Sequence, residues 1–266
     1  MFFKRNLKYP SVISNIGICI FDILGRIRMS TFLLIHGGWH AGWCWDKVKP
    51  LLEEQGHTVM APDLPGHGSD NTPLHEVTME KYARATVDFA SSASEPVIVV
   101  GHSMTGLSNS QAVEYAPEKF KVQVFMAAFL LSSGQCLMDQ AQTDPENLVL
   151  RNLTFSDDKS SMTFNEDALK AALYGECSEE DIEWAKGKLQ AQASAPFATP
   201  VKLTAQRWGS VPRYYVECLR DWAITPKSQK AMYEANPCEK VFTMDTDHSP
   251  FISRPAELVR HLVSIG

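Results

Sequence analysis

The run Pro96-Val97-Ile98-Val99-Val100-Gly101-His102-Ser103-Met104-Thr105-Gly106 decides how the rest of the chain is read. Val97 to Val100 are β-branched without a break, the pattern of a strand buried on both faces, and Gly101 opens a tight turn after them. Beyond the turn, Leu107, Ala112 and Val113 recur at spacings that put them on one face of a helix ending before Pro117. A serine between such a strand and such a helix fits a nucleophile elbow. There a strained corner lifts the hydroxyl above the sheet, and small neighbours avoid collisions. The plainer reading of the same residues is a Gly-Ser turn joining a core strand to its helix.

Working outward, the apolar run Thr31 to Ile35 ends abruptly in His36-Gly37-Gly38, as a buried strand ends in a loop. Trp45, Val48, Leu51 and Leu52 then recur at helical spacing up to Gly56. Thr58 to Ala61 reads as the next strand, and Thr78 caps a helix whose Met79, Tyr82, Ala83, Val87 and Ala90 share a face. Asp63 and His67, in the Pro/Gly-rich loop between, read as turn residues. After the serine come strands over Val122 to Leu131, Arg213 to Cys218 and Lys240 to Met244. Thr225-Pro226 starts a helix running to about Asn236, and Pro255 opens a closing helix. This alternation predicts an α/β fold, a doubly wound, mostly parallel sheet. Residues 132–205 break the pattern, with two short helical stretches around Glu166 to Tyr174 and Glu179 to Gln190, the second capped by Ser178. They read as an inserted helical cap over the carboxyl edge of the sheet.

The 266 residues suit one domain, taken as 29–266. Residues 1–28 differ: Lys4, Arg5 and Lys8 precede an apolar stretch from Val12 to Leu24 that Asn15 and Asp22 interrupt. No small-residue cleavage site follows, and the stretch is too short to span a bilayer, so it reads as an extension or an upstream start. A net charge of -6 offers phosphate backbones no basic face, which argues against a nucleic-acid partner. The six cysteines include no C-x-x-C pair, which favours a reducing compartment, the cytoplasm. His36 and His40 have helical metal-ligand spacing, but Gly37 and Gly38 between them argue for a loop and against a metal site.

Three loops that follow strands carry chemically useful groups. Ser103 needs a base to become a nucleophile near neutral pH, and His248 in Asp245-Thr246-Asp247-His248-Ser249-Pro250 is the candidate. Asp221, just past the strand ending at Cys218, is the candidate that holds the second ring nitrogen and stabilises the imidazolium. Asp245 and Asp247 are nearer in sequence but share a loop with His248, and His248 has the alternative of a turn histidine bonded to one of them. A developing oxyanion requires donors set in place beforehand. The backbone N–H of Met104 is one candidate and that of Gly38 the other, although Gly37-Gly38 is also compatible with a simple turn.

Together His36-Gly37-Gly38-Trp39-His40-Ala41-Gly42-Trp43-Cys44-Trp45, Gly101-His102-Ser103-Met104 and Asp247-His248 resemble the α/β-hydrolase superfamily, in the branch of plant methylesterases, hydroxynitrile lyases and related bacterial esterases. The likeness runs from Met29 to Gly266 and is weakest across the cap. It implies hydrolysis of small carboxylic esters through an acyl-serine by a Ser-His-Asp triad, with no cofactor. Thr105 departs from the pattern, which usually has a smaller residue there. The lyases typically carry Thr where Gly38 stands and Lys where Ser249 stands, so cyanohydrin cleavage is disfavoured. A non-hydrolytic receptor on the same fold is the other alternative. Trp39, Trp43, Phe129, Trp184 and Trp208 are candidate pocket aromatics, each equally suited to the core.

Overall fold

Thr31–Ile35 forms β1, its last four residues buried, and the computed structural model describes residues 29–266 from just before it. The extension, 1–28, lies outside the described residues. A 3-10 turn over Gly42–Trp45 leads to α1 (Lys49–Glu54), then to β2 (Thr58–Met60). The sequence spacing runs these turns together as one helix. Pro50 separates them, because it has no N–H to continue a helix and instead opens one. Gly56, at φ +87°, ends α1.

Helix α2 (Met79–Ser91) is capped as expected, Thr78 accepting the N–H of Lys81 at 3.1 Å. β3 (Val97–His102) is buried at every residue, including the Gly101 and His102 that follow its apolar run. Ser103 and Met104 turn the chain into α3 (Thr105–Tyr115). β4 (Phe120–Met126) ends five residues before the apolar run does, because continuous apolarity reports burial and not strand geometry. At Ala127 φ becomes +42°, and the remaining residues pack behind the elbow, Phe129 donating its N–H to the Ser103 carbonyl (3.1 Å).

Between β4 and Arg213 the chain leaves the main sheet. α4 (Leu137–Gln142) is followed by an antiparallel sheet of β5 (Leu153–Phe155), β6 (Ser161–Phe164) and β7 (Gln192–Ala193). α5 (Leu169–Ala172), α6 (Glu179–Lys186) and α7 (Ala195–Ala198) complete the segment. The two expected helices are present but shorter, α6 starting on a Ser178 cap that accepts the N–H of Asp181. The small sheet was not expected, since strands of two to four residues are too short to display alternation. β8 (Arg213–Cys218), α8 (Pro226–Ala235), β9 (Lys240–Met244), α9 (Pro250–Ser253) and α10 (Pro255–Val263) finish the chain.

The main sheet is parallel throughout, in the order β2-β1-β3-β4-β8-β9. The order reverses between β1 and β3, where Ile35 lies beside Gly101, so the loop after β1 and the turn after β3 part over a crevice at the carboxyl edge. Open α/β sheets bind ligands at such a point. Cys218 beside Met244 sets the loops after β8 and β9 next to each other at the same edge.

Glycine is required where α3 presses on the chain after β4. A Cβ at Gly106 would collide with the carbonyl oxygen of Phe129, a backbone atom that has no rotamer by which to move. Gly106→Ala should therefore lower the urea unfolding free energy by about 1–3 kcal/mol, the range of core overpacking. A midpoint unchanged from wild type would contradict this packing.

Candidate active site

Ser103 has φ +55°, in the left-handed region that L-residues occupy at a cost of about 1–2 kcal/mol. Its surroundings hold it there. Gly101 leaves room for Asn109, whose amide nitrogen would lie 2.6 Å from an added Cβ. Thr105 is fully buried, and its hydroxyl donates to the carbonyls of His102 (2.9 Å) and Ile35 (3.2 Å). The side chain that departs from the usual pattern thus ties the elbow to the end of β1.

The loop after β1 approaches the elbow closely because Gly37 has no side chain: a Cβ would stand 2.6 Å from His102 Nδ1 and 3.1 Å from Ser103 Cβ. His36 Nδ1–H donates to the Gly37 carbonyl (2.9 Å), while its Nε2 accepts the N–H of Leu64 (3.0 Å). His40 Nδ1–H donates to the Gly38 carbonyl (2.8 Å), and its Nε2 accepts from the Tyr174 hydroxyl (2.7 Å). These acceptors fix the tautomers. Both histidines therefore brace a loop and have no lone pair left for a metal. Among the described residues, the backbone N–H groups of Gly38 and Met104 have no protein acceptor, the condition for receiving an anion.

The structure brings Asp221 and His248 together. His248 Nδ1 is 2.8 Å from Asp221 Oδ2, with both side chains buried. Asp221 Oδ1 accepts the N–H groups of Ala223 (2.7 Å) and Ile224 (2.9 Å), and Oδ2 also accepts from Gln229 Nε2 (3.1 Å). Burial pushes the Asp221 carboxyl above its ordinary value, opposed by the neighbouring His248 and by the amide bonds. The elbow positions His248 in turn, His102 Nε2–H donating to the His248 carbonyl (2.9 Å).

Asp245 and Asp247 turn elsewhere. Asp245 pairs with Arg220, at 2.7 and 2.6 Å. Asp247 accepts the N–H groups of Glu176 (2.8 Å) and Ser249 (3.1 Å), which ties the insertion to the loop carrying His248. Asp63 binds the N–H groups of Gly42 (2.8 Å) and Ser69 (2.9 Å), the turn role expected of it.

Ser103 and His248 line one narrow pocket, walled by Trp39, Phe129, Leu137, Leu150, Leu173 and Phe197. Its cavity volume is about 20 Å³. A far larger groove, about 920 Å³, is lined by Lys170, Asp221 and Trp222 and includes neither Ser103 nor His248. Of the candidate aromatics, Trp39 and Phe129 line the pocket; Trp43 packs edge-on against Trp184, and Trp208 lies under Arg213.

Three contributors carried no sequence signal. Gln229 holds the carboxylate from α8, Gln192 reaches Trp39 N–H (3.4 Å) from β7, and Asn147 lines the pocket from the insertion. No residue type or spacing marks these roles: Gln192 meets Trp39 across 153 positions of chain, while Gln229 stands eight residues past Asp221.

A serine on a left-handed strand-to-helix corner, at the switch point of a parallel sheet with a buried Asp-His pair on the neighbouring loops, defines the α/β class of hydrolytic enzymes. The chain belongs to the Alpha/beta hydrolase family, which matches residues 32–261. It is similar to Methylesterase 2 of Arabidopsis thaliana, 34% identical over 256 residues, covering 90% of this chain and 97% of that one. A longer relative named as a chloroplastic methylesterase, from the same plant, is 31% identical over 88% of this chain, which spans 56% of its length. The crystal structure of polyneuridine aldehyde esterase superposes with a TM-score of 0.81 at 30% identity, covering 90% of this chain and 99% of that one. The fold is thus the expected one.

Burial lowers His40 and His67 to about 4, so both are neutral in the folded chain near neutral pH. Above 6.5 they are neutral whether folded or unfolded. Below 6.5 the unfolded chain takes up protons that the folded chain refuses, so stability is lost as pH falls toward 4, by about 3 kcal/mol per histidine. The urea midpoint should fall steadily from pH 6.5 to 4, and His67→Gln should make that fall shallower. A midpoint constant from pH 7 to 4.5 would contradict the buried, neutral state of His40 and His67.

Proposed function

We propose that the chain is a cofactor-independent serine hydrolase of small carboxylic esters, with Ser103, His248 and Asp221 as its triad. The observation that carries the reading is the alignment of one pocket: Ser103 on a left-handed corner faces it, and so does a His248 whose Nδ1 is 2.8 Å from buried Asp221. The similarity to methylesterases and to an esterase of known structure supports the same conclusion.

The chemistry follows from these groups. Ser103 Oγ adds to the ester carbonyl carbon as His248 Nε2 takes its proton. Asp221 accepts the Nδ1–H bond and stabilises the imidazolium. Negative charge collects on the former carbonyl oxygen, which the N–H groups of Gly38 and Met104 receive. The intermediate collapses, the alkoxide leaves with the proton from His248, and an acyl-serine remains. Water then adds to the acyl group with His248 again as base, and the acid leaves, restoring Ser103. Residues 132–205 act as the cap of the 29–266 domain, supplying most of the pocket's apolar wall.

Two positions weigh against lyase chemistry. A Cβ at Gly38 would stand 3.3 Å from Phe197 Cζ, so a side chain there would need that ring to shift, and glycine supplies no hydroxyl. Ser249, after the histidine, is fully buried and brings no cation. The free thiols of Cys44, Cys136, Cys177, Cys218 and Cys238 suit a reducing compartment, and we place the protein in the cytoplasm. No helix among the described residues is long and apolar enough to cross a membrane.

Ser103→Ala should reduce kcat/KM on a methyl or aryl ester by about four to six orders of magnitude at unchanged thermal midpoint. Asp221→Asn should cost about four orders. Near-wild-type turnover in folded Ser103→Ala would overturn the mechanism.

A further inference from the structure

Resting on the ester-hydrolase reading, we propose that Asn147 is a specificity residue, and that the preferred substrate carries a second oxygen acceptor, ether or carbonyl, in the part that fills the apolar pocket. Among the described residues, Asn147 is the only polar side chain lining that pocket besides Ser103 and His248. It is about nineteen-twentieths buried, with 5% of its surface exposed.

Its orientation is fixed. Oδ1 accepts the backbone N–H groups of Val149 (2.6 Å) and Leu150 (3.2 Å), so turning the amide over would set its NH2 against two N–H donors. Nδ2, on the opposite side of the amide, has no protein acceptor among the described residues, and Asn147 lines the pocket.

An all-hydrocarbon substrate would cover this NH2 and strand two donors in an apolar wall, a cost native structures avoid. A ligand oxygen at that point removes the cost. A site built around such a donor also discriminates against analogues that lack the acceptor far more strongly than an apolar wall discriminates by size. The rest of the wall, Trp39, Leu137, Leu150 and Phe197 among it, accepts only hydrocarbon around that oxygen.

The test compares methyl hexanoate with analogues in which an ether oxygen replaces one chain CH2 at each successive position, together with the corresponding series in the alcohol part of hexyl acetate. Wild type is set against Asn147→Asp, which keeps the acceptor for Val149 and Leu150 but loses the donors. At one position, the wild-type ratio of kcat/KM for the ether over its CH2 counterpart should exceed the variant's ratio by about 10- to 100-fold. Taking ratios within each protein cancels any effect of the new carboxylate on His248. Asn147→Leu, which removes the donors without adding charge, should move the ratio the same way. Equal ratios in all three proteins at every position would overturn the inference while leaving the esterase intact. Wild type hydrolysing none of these esters would instead count against the ester-hydrolase reading and take this inference with it.

Discussion

The left-handed backbone at Ser103 is the constraint around which the rest is arranged. An L-residue holds φ +55° only where its neighbours leave no cheaper state. Here the absence of side chains at Gly101 and Gly106 admits Asn109 and the Phe129 carbonyl, and the Phe129 N–H bonds back to Ser103. Thr105 closes the corner from below by bonding both β3 and β1. The strain is small beside the burial that sustains it, since β3 is buried along its whole length.

From that corner the site extends in two directions. Toward β1, Gly37 lets the loop lie against His102 and Ser103, and the loop is then held from the insertion. Trp39, itself at φ +65°, donates its ring N–H to Met162 (3.2 Å) and accepts the Gln190 N–H (2.9 Å). Tyr174 anchors His40. The orientation of the Gly38 N–H therefore depends on the insertion as much as on the main sheet. Toward β9, His102 bonds the His248 carbonyl, and Asp247 bonds the insertion at Glu176. The Gly38 loop, the His248 loop and the pocket wall are parts of one bonded unit, and changes in the insertion are expected to reach the site.

The sequence carried the elbow, the strand ends and the three candidate residues because each combines a chemical type with a local pattern. Ser103 follows four β-branched residues, while Asp221 and His248 follow strands ending at Cys218 and Met244. Where the signal was apolarity alone it misled, as at β4, whose run continues into a turn that is buried without being a strand. The β5-β6-β7 sheet left no trace because its strands are shorter than the period needed to recognise them. Gln192 and Asn147 were silent for a further reason: each has a role only once residues far along the chain fold against it.

The central claim is that Ser103 is an activated nucleophile, and intact-protein mass spectrometry after incubation with a fluorophosphonate tests it most directly. The account predicts one adduct on wild type and none on Ser103→Ala. Well-folded wild-type protein that stays unlabelled would contradict it, as would an adduct that persists in the variant.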